Sequence, residues 1–510
     1  MDQIFEFLEI IIPAISELFL FLGIVFLLII TLIKKYKDSW DKKYTLIFLK
    51  SLLFSVLIIL LIYGSGTGDS FSFINNPEIQ KTTFLGTFTI DGFIRIVKII
   101  ILCWSLFFIF TFKNIITNDL ETEKNICFLF MLLGYLLALS SNNLILLFLG
   151  LEMSSIAMVF FVHLSDPNAG KTAASNMFFI HCIGSSLYIF GVALIFCSFG
   201  TIDCSLIIDK VFANNFIENK FVTSLSILFI ILGLFSKMLF IPFQGIFKDI
   251  AKKNNWKIFT MLNFLPFFSC SMILIRFFSI FNFWNYKIFF LVSGLIAICL
   301  GFLNTVNKNM IKEIILYNTI GNTGIVLSSF AVLNTDIITS IFYFFIVQAI
   351  ALMIFSGIIS YLSTSESQIK TFNDIYFMNY PPILIFILGI CILCFVGVPP
   401  LPGFIALLVL LKNLVLEEAY LISFFIISFK MFSIWSGIKI VTALLNRNTK
   451  AIEQSERLVK RNFPISILAL CALIIFLTIK IDYFSKTLTS GEFSLKCYNS
   501  FKRYRLCKHL

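Results

Sequence analysis

Apolar runs long enough to form spanning helices alternate with short polar interruptions along almost the whole chain. A helix needs about 20 apolar residues to cross the hydrocarbon of a bilayer. The pattern predicts fourteen spans, at about 4–33, 45–63, 93–112, 125–142, 144–163, 173–199, 222–247, 258–279, 287–305, 310–333, 336–362, 382–411, 418–443 and 463–483. Most connections are short. The longest, at 64–92, is rich in the Gly, Ser, Asn and Pro of an irregular loop. Two spans contain helix breakers: FIPFQG (240–245) in the seventh and GVPPLPGF (397–404) in the twelfth. Proline removes a backbone donor and clashes with the preceding turn, so each of these spans should split into two half-helices. Broken helices at matching positions of two halves mark an inverted-repeat transporter architecture. The expected fold is therefore an all-α polytopic membrane protein with two inverted five-helix repeats, 125–285 and 286–445. Three helices precede them in 1–124, and a further helix with a basic tail follows in 446–510.

Ionisable groups inside apolar runs change the picture from scaffold to candidate machinery. Glu152 lies near the middle of the run 144–163, and Lys237 lies in the run 230–247, five residues before Pro242. Charges at membrane depth are costly and persist mainly where they face a protein interior or a wet cavity. Non-helical backbone is tolerated there under the same condition. One acid, one base and one broken helix suit a proton relay, with a static ion pair pinning two helices as the bland alternative. Ser185, Ser186, Asn263, Ser269 and Ser271 could line water, or could serve as ordinary polar contacts between helices. His163 is expected at the interface, His181 in an inter-helix hydrogen bond, and Arg276 snorkelling from its span end. Asn322 and Gln348 are candidate hydrogen-bonding positions in the second half.

Composition agrees with the pattern: 59% of the 510 residues are hydrophobic and 13% charged, which excludes an ordinary soluble protein. The net charge of +11 does not point to nucleic acid, because most lysines and arginines fall in alternate short loops. Lys34, Lys35, Lys37, Lys42, Lys43, Lys113, Lys124, Lys171, Lys248, Lys252, Lys253, Lys257, Lys308, Lys312 and Lys370 belong to odd-numbered loops, as do Arg447, Lys450, Arg457, Lys460 and Arg461. The even loops hold little beyond Lys81, Lys210 and Lys220. By the positive-inside rule the odd loops face the matrix or cytoplasm, and both termini lie opposite. The basic tail SLKCYNSFKRYRLCKHL conflicts with that placement. Either a span near the end is miscounted, or the tail binds a partner or lipid headgroups. The twelve cysteines mostly stand singly in apolar runs, and the C-x-x-C of Cys391 and Cys394 sits within one, so helix packing is expected. Three histidines give little support to haem ligation. The 64 phenylalanines, with abundant Ile, Asn and Lys, suggest an A/T-rich coding genome such as an organelle's. The opening MDQIFEFLEI lacks the look of a transit peptide.

Several stretches carry a resemblance. NNLILLFLGLEMSSIAMVFF resembles the fifth-helix motif of the antiporter-like membrane subunits of respiratory complex I, in the form found in the subunit 2 branch. LFSKMLFIPFQGIFKDI is similar to that family's broken seventh helix, and VNKNMIKEIILYNTIGNTGIVL to its tenth. FVGVPPLPGF looks like the break in the twelfth, and IDGFIRIVKIIIL, with Asp91 leading, like the opening of the third. The matches keep their order from about residue 91 to 443. There are departures. The family usually carries a lysine just after a proline in helix eight, but Pro266 is followed here by Phe267. It also places a lysine about four residues after the twelfth-helix glycine, where Gly403 is followed here by Leu407. Lys412 is one candidate substitute. Lys430, in the thirteenth span, is the better buried candidate, either replacing the missing lysine or contacting a neighbouring subunit.

The resemblance implies a proton-translocating membrane-arm subunit of NADH:ubiquinone oxidoreductase, with Glu152 and Lys237 as relay residues. It implies no cofactor in this chain, with NADH, FMN, iron–sulfur clusters and ubiquinone handled by partner subunits. Expected partners are subunit 4, subunit 4L and accessory subunits, with lipids such as cardiolipin and no nucleic acid. The implied location is the mitochondrial inner membrane, multi-pass and organelle-encoded, with both termini on the intermembrane-space side. The rival expectations are a cation/proton antiporter subunit and a non-pumping scaffold in which the relay has decayed.

Overall fold

The computed structural model describes residues 14–34, 42–62, 81–83, 86–90, 92–112, 121–165, 169–212, 220–245, 256–277, 286–306, 308, 310–362 and 382–445. The fourteenth span, the basic tail, Asp91, the N-terminal ten residues and many of the loop lysines lie outside that set. Within it the expected spans recur as helices. The first three are α1 (Ile15–Lys34), α2 (Lys42–Ile62) and α3 (Gly92–Thr111). Five further spans follow as α4 (Glu121–Ser140), α5 (Leu144–Ser165), α6 (Ala169–Phe199), α8 (Lys220–Lys237) and α9 (Trp256–Arg276), with short α7 (Cys204–Phe212) between α6 and α8. The next five are α10 (Tyr286–Val306), α11 (Ile311–Ser329), α12 (Thr335–Leu362), the split pair α13 (Pro382–Val396) and α14 (Pro402–Leu416), and α15 (Tyr420–Leu445). Five spans per group is an odd number, so the second group enters the membrane from the side opposite to the first. A two-stranded hairpin, β1 (Lys81–Thr83) with β2 (Phe88–Ile90), covers the α4–α5 junction through Asn142 N–H donating to the Thr87 carbonyl at 2.7 Å.

Three helices form the centre. In α9, α11 and α12, 94% of the apolar window is buried, against 33% in α6 and 39% in α1 and α10. α9 packs on α12 and so joins the two groups. Their contact is aromatic: Trp256 meets Phe355 edge-on at 5.6 Å, and Phe267 and Phe268 each lie 5.4 Å from Phe345.

Both spans expected to break do so, each just before its prolines. α8 stops at Lys237 because Leu239 takes a left-handed conformation (φ +53°). Phe240 N–H then bonds the Phe235 carbonyl at 2.9 Å, and Leu239 N–H the Ser236 carbonyl at 3.2 Å. That double closure satisfies carbonyls a helix end would otherwise leave orphaned. α13 ends similarly at Gly397 (φ +93°), with Val398 N–H on the Leu393 carbonyl at 2.9 Å. The Ile241–Pro242 and Pro399–Pro400 bonds are cis. The first helix therefore ends three residues before the FIPFQG stretch, because the turn preceding the proline already leaves helical space.

Small residues set the closest helix approaches. A Cβ on Gly150 would stand 2.7 Å from the Ala138 nitrogen, and one on Gly134 2.6 Å from the Gly150 carbonyl. Those contacts hold α4 against α5. α10 and α11 repeat the arrangement at Gly294 and Gly324, where a Cβ would meet Ser328 N at 2.5 Å and the Gly294 carbonyl at 2.8 Å. Without a hydrophobic force between helices in lipid, such close backbone packing supplies the attraction.

Candidate functional site

The end of α8 brings Lys237 against α5 and α6. Gly184 and Gly233 hold α6 and α8 together closely: a Cβ on Gly233 would stand 2.9 Å from the Gly184 carbonyl. That approach puts the α6 residues His181 and Ser185 within reach of the lysine. Lys237 Nζ donates to Glu152 Oε1 at 2.7 Å, Ser185 Oγ at 2.8 Å, Ser155 Oγ at 3.2 Å and the His181 carbonyl at 3.4 Å. Four acceptors surround three N–H donors, so the buried ammonium is fully satisfied. Glu152, 22% exposed, is the open side of the pair. Ser185 Oγ can donate its single proton either to Glu152 Oε1 or to the His181 carbonyl at 2.6 Å, so the hydroxyl can turn between them. If Lys237 passes a proton to Glu152, both groups become neutral, and burial favours that form. A nearby charge reverses it.

The other sequence candidates divide. Of the five polar residues named as water-lining candidates, Ser185 is in this cluster. Ser186 is exposed and bonds the Ile183 carbonyl, Asn263 bonds the Phe259 carbonyl, and Ser271 the Phe268 carbonyl. Ser269 Oγ is buried without a partner among the described residues. His163 is exposed. His181 was expected in an inter-helix hydrogen bond, and its carbonyl accepts one from Lys237 of α8, while both ring nitrogens are buried without a hydrogen-bond partner among the described residues. Arg276 was expected to snorkel, and it does not. Its guanidinium donates to the Leu139 carbonyl at 2.6 Å, the Ser141 carbonyl at 2.5 Å and Thr89 Oγ1. The orphan carbonyls at the end of α4 offer a cation a better partner than lipid headgroups do.

A second polar cluster forms around Lys430 on α15, 4% exposed. Its Nζ donates to Asn322 Oδ1 at 2.8 Å and to the Val396 carbonyl at 3.4 Å, the last residue of α13 before the break. It also lies over the rings of Phe344 and Phe429 at 5.5 and 5.7 Å. Asn322 Nδ2 donates to Gln348 Oε1 at 3.1 Å, and Asn318 Nδ2 to Ser436 Oγ at 3.1 Å. No carboxylate bonds this lysine among the described residues. Helix order makes α15 the second-group counterpart of α9, so Lys430 stands in the helix that corresponds to the one lacking its lysine at Phe267. Lys412, on α14, is exposed and does not join this cluster, and Leu407 is buried and apolar.

Phe267 itself closes the space between the clusters. Its ring lies 6.3 Å from Phe240 at the first break and 5.4 Å from Phe345 on α12, next to the Phe344 that meets Lys430. The chain thus has two polar centres with an aromatic layer between them. Sequence reasoning missed a third polar feature, the buried pair Glu17 and Lys98, joined at 2.5 Å. Its signal was the one that singled out Glu152, a charge inside an apolar run.

Paired groups of five spans, each with a broken helix beside a buried lysine, define a polytopic carrier-type membrane protein rather than a receptor or a soluble enzyme subunit. Residues 141–478 match the family described as NADH:quinone oxidoreductase/Mrp antiporter, transmembrane, and the chain belongs to that family. The chain is 23% identical over 385 residues to NADH-quinone oxidoreductase subunit N of Campylobacter jejuni, covering 74% of this chain and 81% of that protein. Against subunit N of Hydrogenovibrio crunogenus the identity is 24% over 413 residues, covering 79% and 82%. Its fold is similar to a chain of an archaeal membrane-bound sulfane sulfur reductase (TM-score 0.77, 18% identity, 97% of this chain and 98% of that one). It is also similar to a chain of respiratory complex I from Thermus thermophilus (TM-score 0.70, 14% identity, 93% and 100%). The Mrp complex of Dietzia holds a third such chain (TM-score 0.76, 13% identity, 96% and 98%).

Proposed function

We propose that this chain is an antiporter-like membrane-arm subunit of an NADH:quinone oxidoreductase, of the subunit 2 or N type, and that it moves protons without transferring electrons. The observation that carries this reading is the Lys237–Glu152 pair at a helix break, with Ser185 able to turn beside it. Lys430, on the helix that corresponds to α9, is the relay lysine of the second group. Around it, Asn318 Oδ1, Gln348 Nε2 and Ser433 Oγ are buried without protein partners among the described residues, which suits bound water. Redox energy comes from other subunits, which hold NADH, FMN, iron–sulfur clusters and ubiquinone. Subunit 4, subunit 4L and accessory subunits are the proposed neighbours, with cardiolipin at the lipid boundary.

We place the chain in the mitochondrial inner membrane, with both termini on the intermembrane-space side, on its codon-biased composition and loop charges; the relatives named above are bacterial. The test is proton uptake per NADH oxidised by the native complex in sealed vesicles. Glu152→Gln and Lys237→Met should each abolish the share of uptake due to this chain. Unchanged uptake in both would overturn the reading. A second reading, a scaffold with a decayed relay, is favoured by the Phe267 layer, and it is the reading such a result would leave.

A further inference from the structure

The Lys237 site has a second copy in the N-terminal helices. On α1, Glu17 is 3% exposed, and on α3, Lys98 is 1% exposed. Lys98 Nζ donates to Glu17 Oε1 at 2.5 Å, and Ser140 Oγ of α4 donates to the same oxygen at 2.8 Å. Ser140 has an alternative acceptor, the Leu136 carbonyl one turn back, at 2.9 Å. Ser185 stands in the same relation to Glu152 Oε1 and to the His181 carbonyl one turn back. Both sites therefore consist of a lysine and a serine meeting on one carboxylate oxygen, the serine hydroxyl free to turn to its own helix. Ser16 Oγ donates to the other Glu17 oxygen, so both carboxylate oxygens have donors. The ammonium has fewer partners: among the described residues Glu17 is its one hydrogen-bond acceptor, where Lys237 has four.

An ion pair taken wholly out of water costs several kcal/mol per ion, and attraction repays that only where every donor and acceptor is satisfied. For helix docking alone, apolar side chains of the same volume would serve as well or better. A pair with spare donors is instead suited to exchange protons. Transfer of one proton from Lys98 Nζ to Glu17 Oε1 leaves a neutral amine and a neutral acid, and Ser140 can then turn its hydroxyl to the Leu136 carbonyl, leaving its oxygen free to accept a hydrogen bond from the new acid. The position lies near one membrane face. Lys98 is six residues into α3, about 9 Å along it, and Ser140 is the last residue of α4. The carbonyls on either side of Ser140 are held by Arg276, which fixes the end of α4 on which the hydroxyl turns.

We propose that Glu17, Lys98 and Ser140 form a second proton-exchange site, carried by the N-terminal helices and serving the membrane face at which α3 and α5 begin. This inference rests on the proton-translocation reading above. The test uses the assembled complex in sealed vesicles and compares E17Q/K98M, Ser140→Ala and Glu152→Gln for complex content and for protons taken up per NADH oxidised. The double variant removes both charges at similar volume, so it should assemble at the parental level and lose part of the uptake. S140A keeps the pair and removes only the turning hydroxyl, and it should lower uptake in the same direction. Parental uptake in S140A would overturn the site, whether or not the double variant assembles, and so would parental uptake in an assembled double variant. The pair would then be a helix clamp. E152Q separates the two ideas: a loss in E152Q without one in the N-terminal variants removes this site alone, whereas parental uptake in E152Q removes the reading on which it rests.

Discussion

Lys237 and Lys430 are both buried, yet their surroundings give them different responses to substitution. Lys237 shares its charge with Glu152, so Glu152→Gln leaves an uncompensated ammonium and should cost about 3–5 kcal/mol, whereas E152Q/K237M should recover most of that loss. Thermal unfolding of the solubilised complex checks the difference; equal losses in the single and double variants would contradict it. Lys430 has amide, carbonyl and aromatic partners and no carboxylate. Lys430→Met keeps the volume and removes a buried cation but strands Asn322 Oδ1 without its donor, so the two effects oppose and stability should change little while proton uptake falls. A fall in both would make Lys430 a structural residue. Glu152 and Lys237 were legible in the sequence because each is a charge inside an apolar run. The roles of Ser155 and the His181 carbonyl were not, because hydroxyls and carbonyls are common in helices and only packing selects which ones face a lysine.

Helix ends and helix contacts decide where those residues can meet. Leu239 occupies a left-handed position that glycine accepts more readily, but its side chain is buried, so both Leu239→Ala and Leu239→Gly should lose about 2–5 kcal/mol of packing, with the glycine variant about 1 kcal/mol the more stable of the two. Gly397→Ala, at φ +93°, should destabilise the second break by about 1 kcal/mol or more. Melts of these variants test whether backbone conformation sets the breaks; a Leu239→Gly protein no more stable than Leu239→Ala, or an unshifted Gly397→Ala protein, would say otherwise. The glycine contacts give a sharper comparison. Gly150→Ala meets backbone at 2.7 Å and should cost about 1–3 kcal/mol, while Gly389→Ala, with no atom within 4 Å, should add about 0.5–1 kcal/mol of helix stability. The sequence exposed both breaks through Pro and Gly, but placed the first a few residues late, because the left-handed turn falls on leucine and carries no sequence mark.

Across the molecule, α9 and α12 form an aromatic layer that separates the two polar clusters. Phe267→Ala removes the ring between Phe240 and Phe345 and should cost about 3–5 kcal/mol, leaving a cavity that brings the clusters into communication. Vesicles containing that variant should lose an imposed proton gradient faster than the parent. An unchanged leak rate would mean that the neighbouring Phe268, Phe342 and Phe344 suffice as the barrier.

The sequence by itself determined the membrane-spanning class, the spans within the described residues and the two breaks, because each depends on local hydrophobic length or on the backbone limits of Pro and Gly. It also determined that Glu152 and Lys237 had to be buried together or solvated, since lipid offers an isolated charge neither. Tertiary structure alone decided that Arg276 turns inward to the end of α4, that Lys412 stays outside while Lys430 reaches the end of α13, and that Glu17 finds Lys98. Those outcomes depend on which helix faces come within about 3 Å of one another, and that distance is set by glycine contacts and helix rotation that no single stretch of sequence encodes.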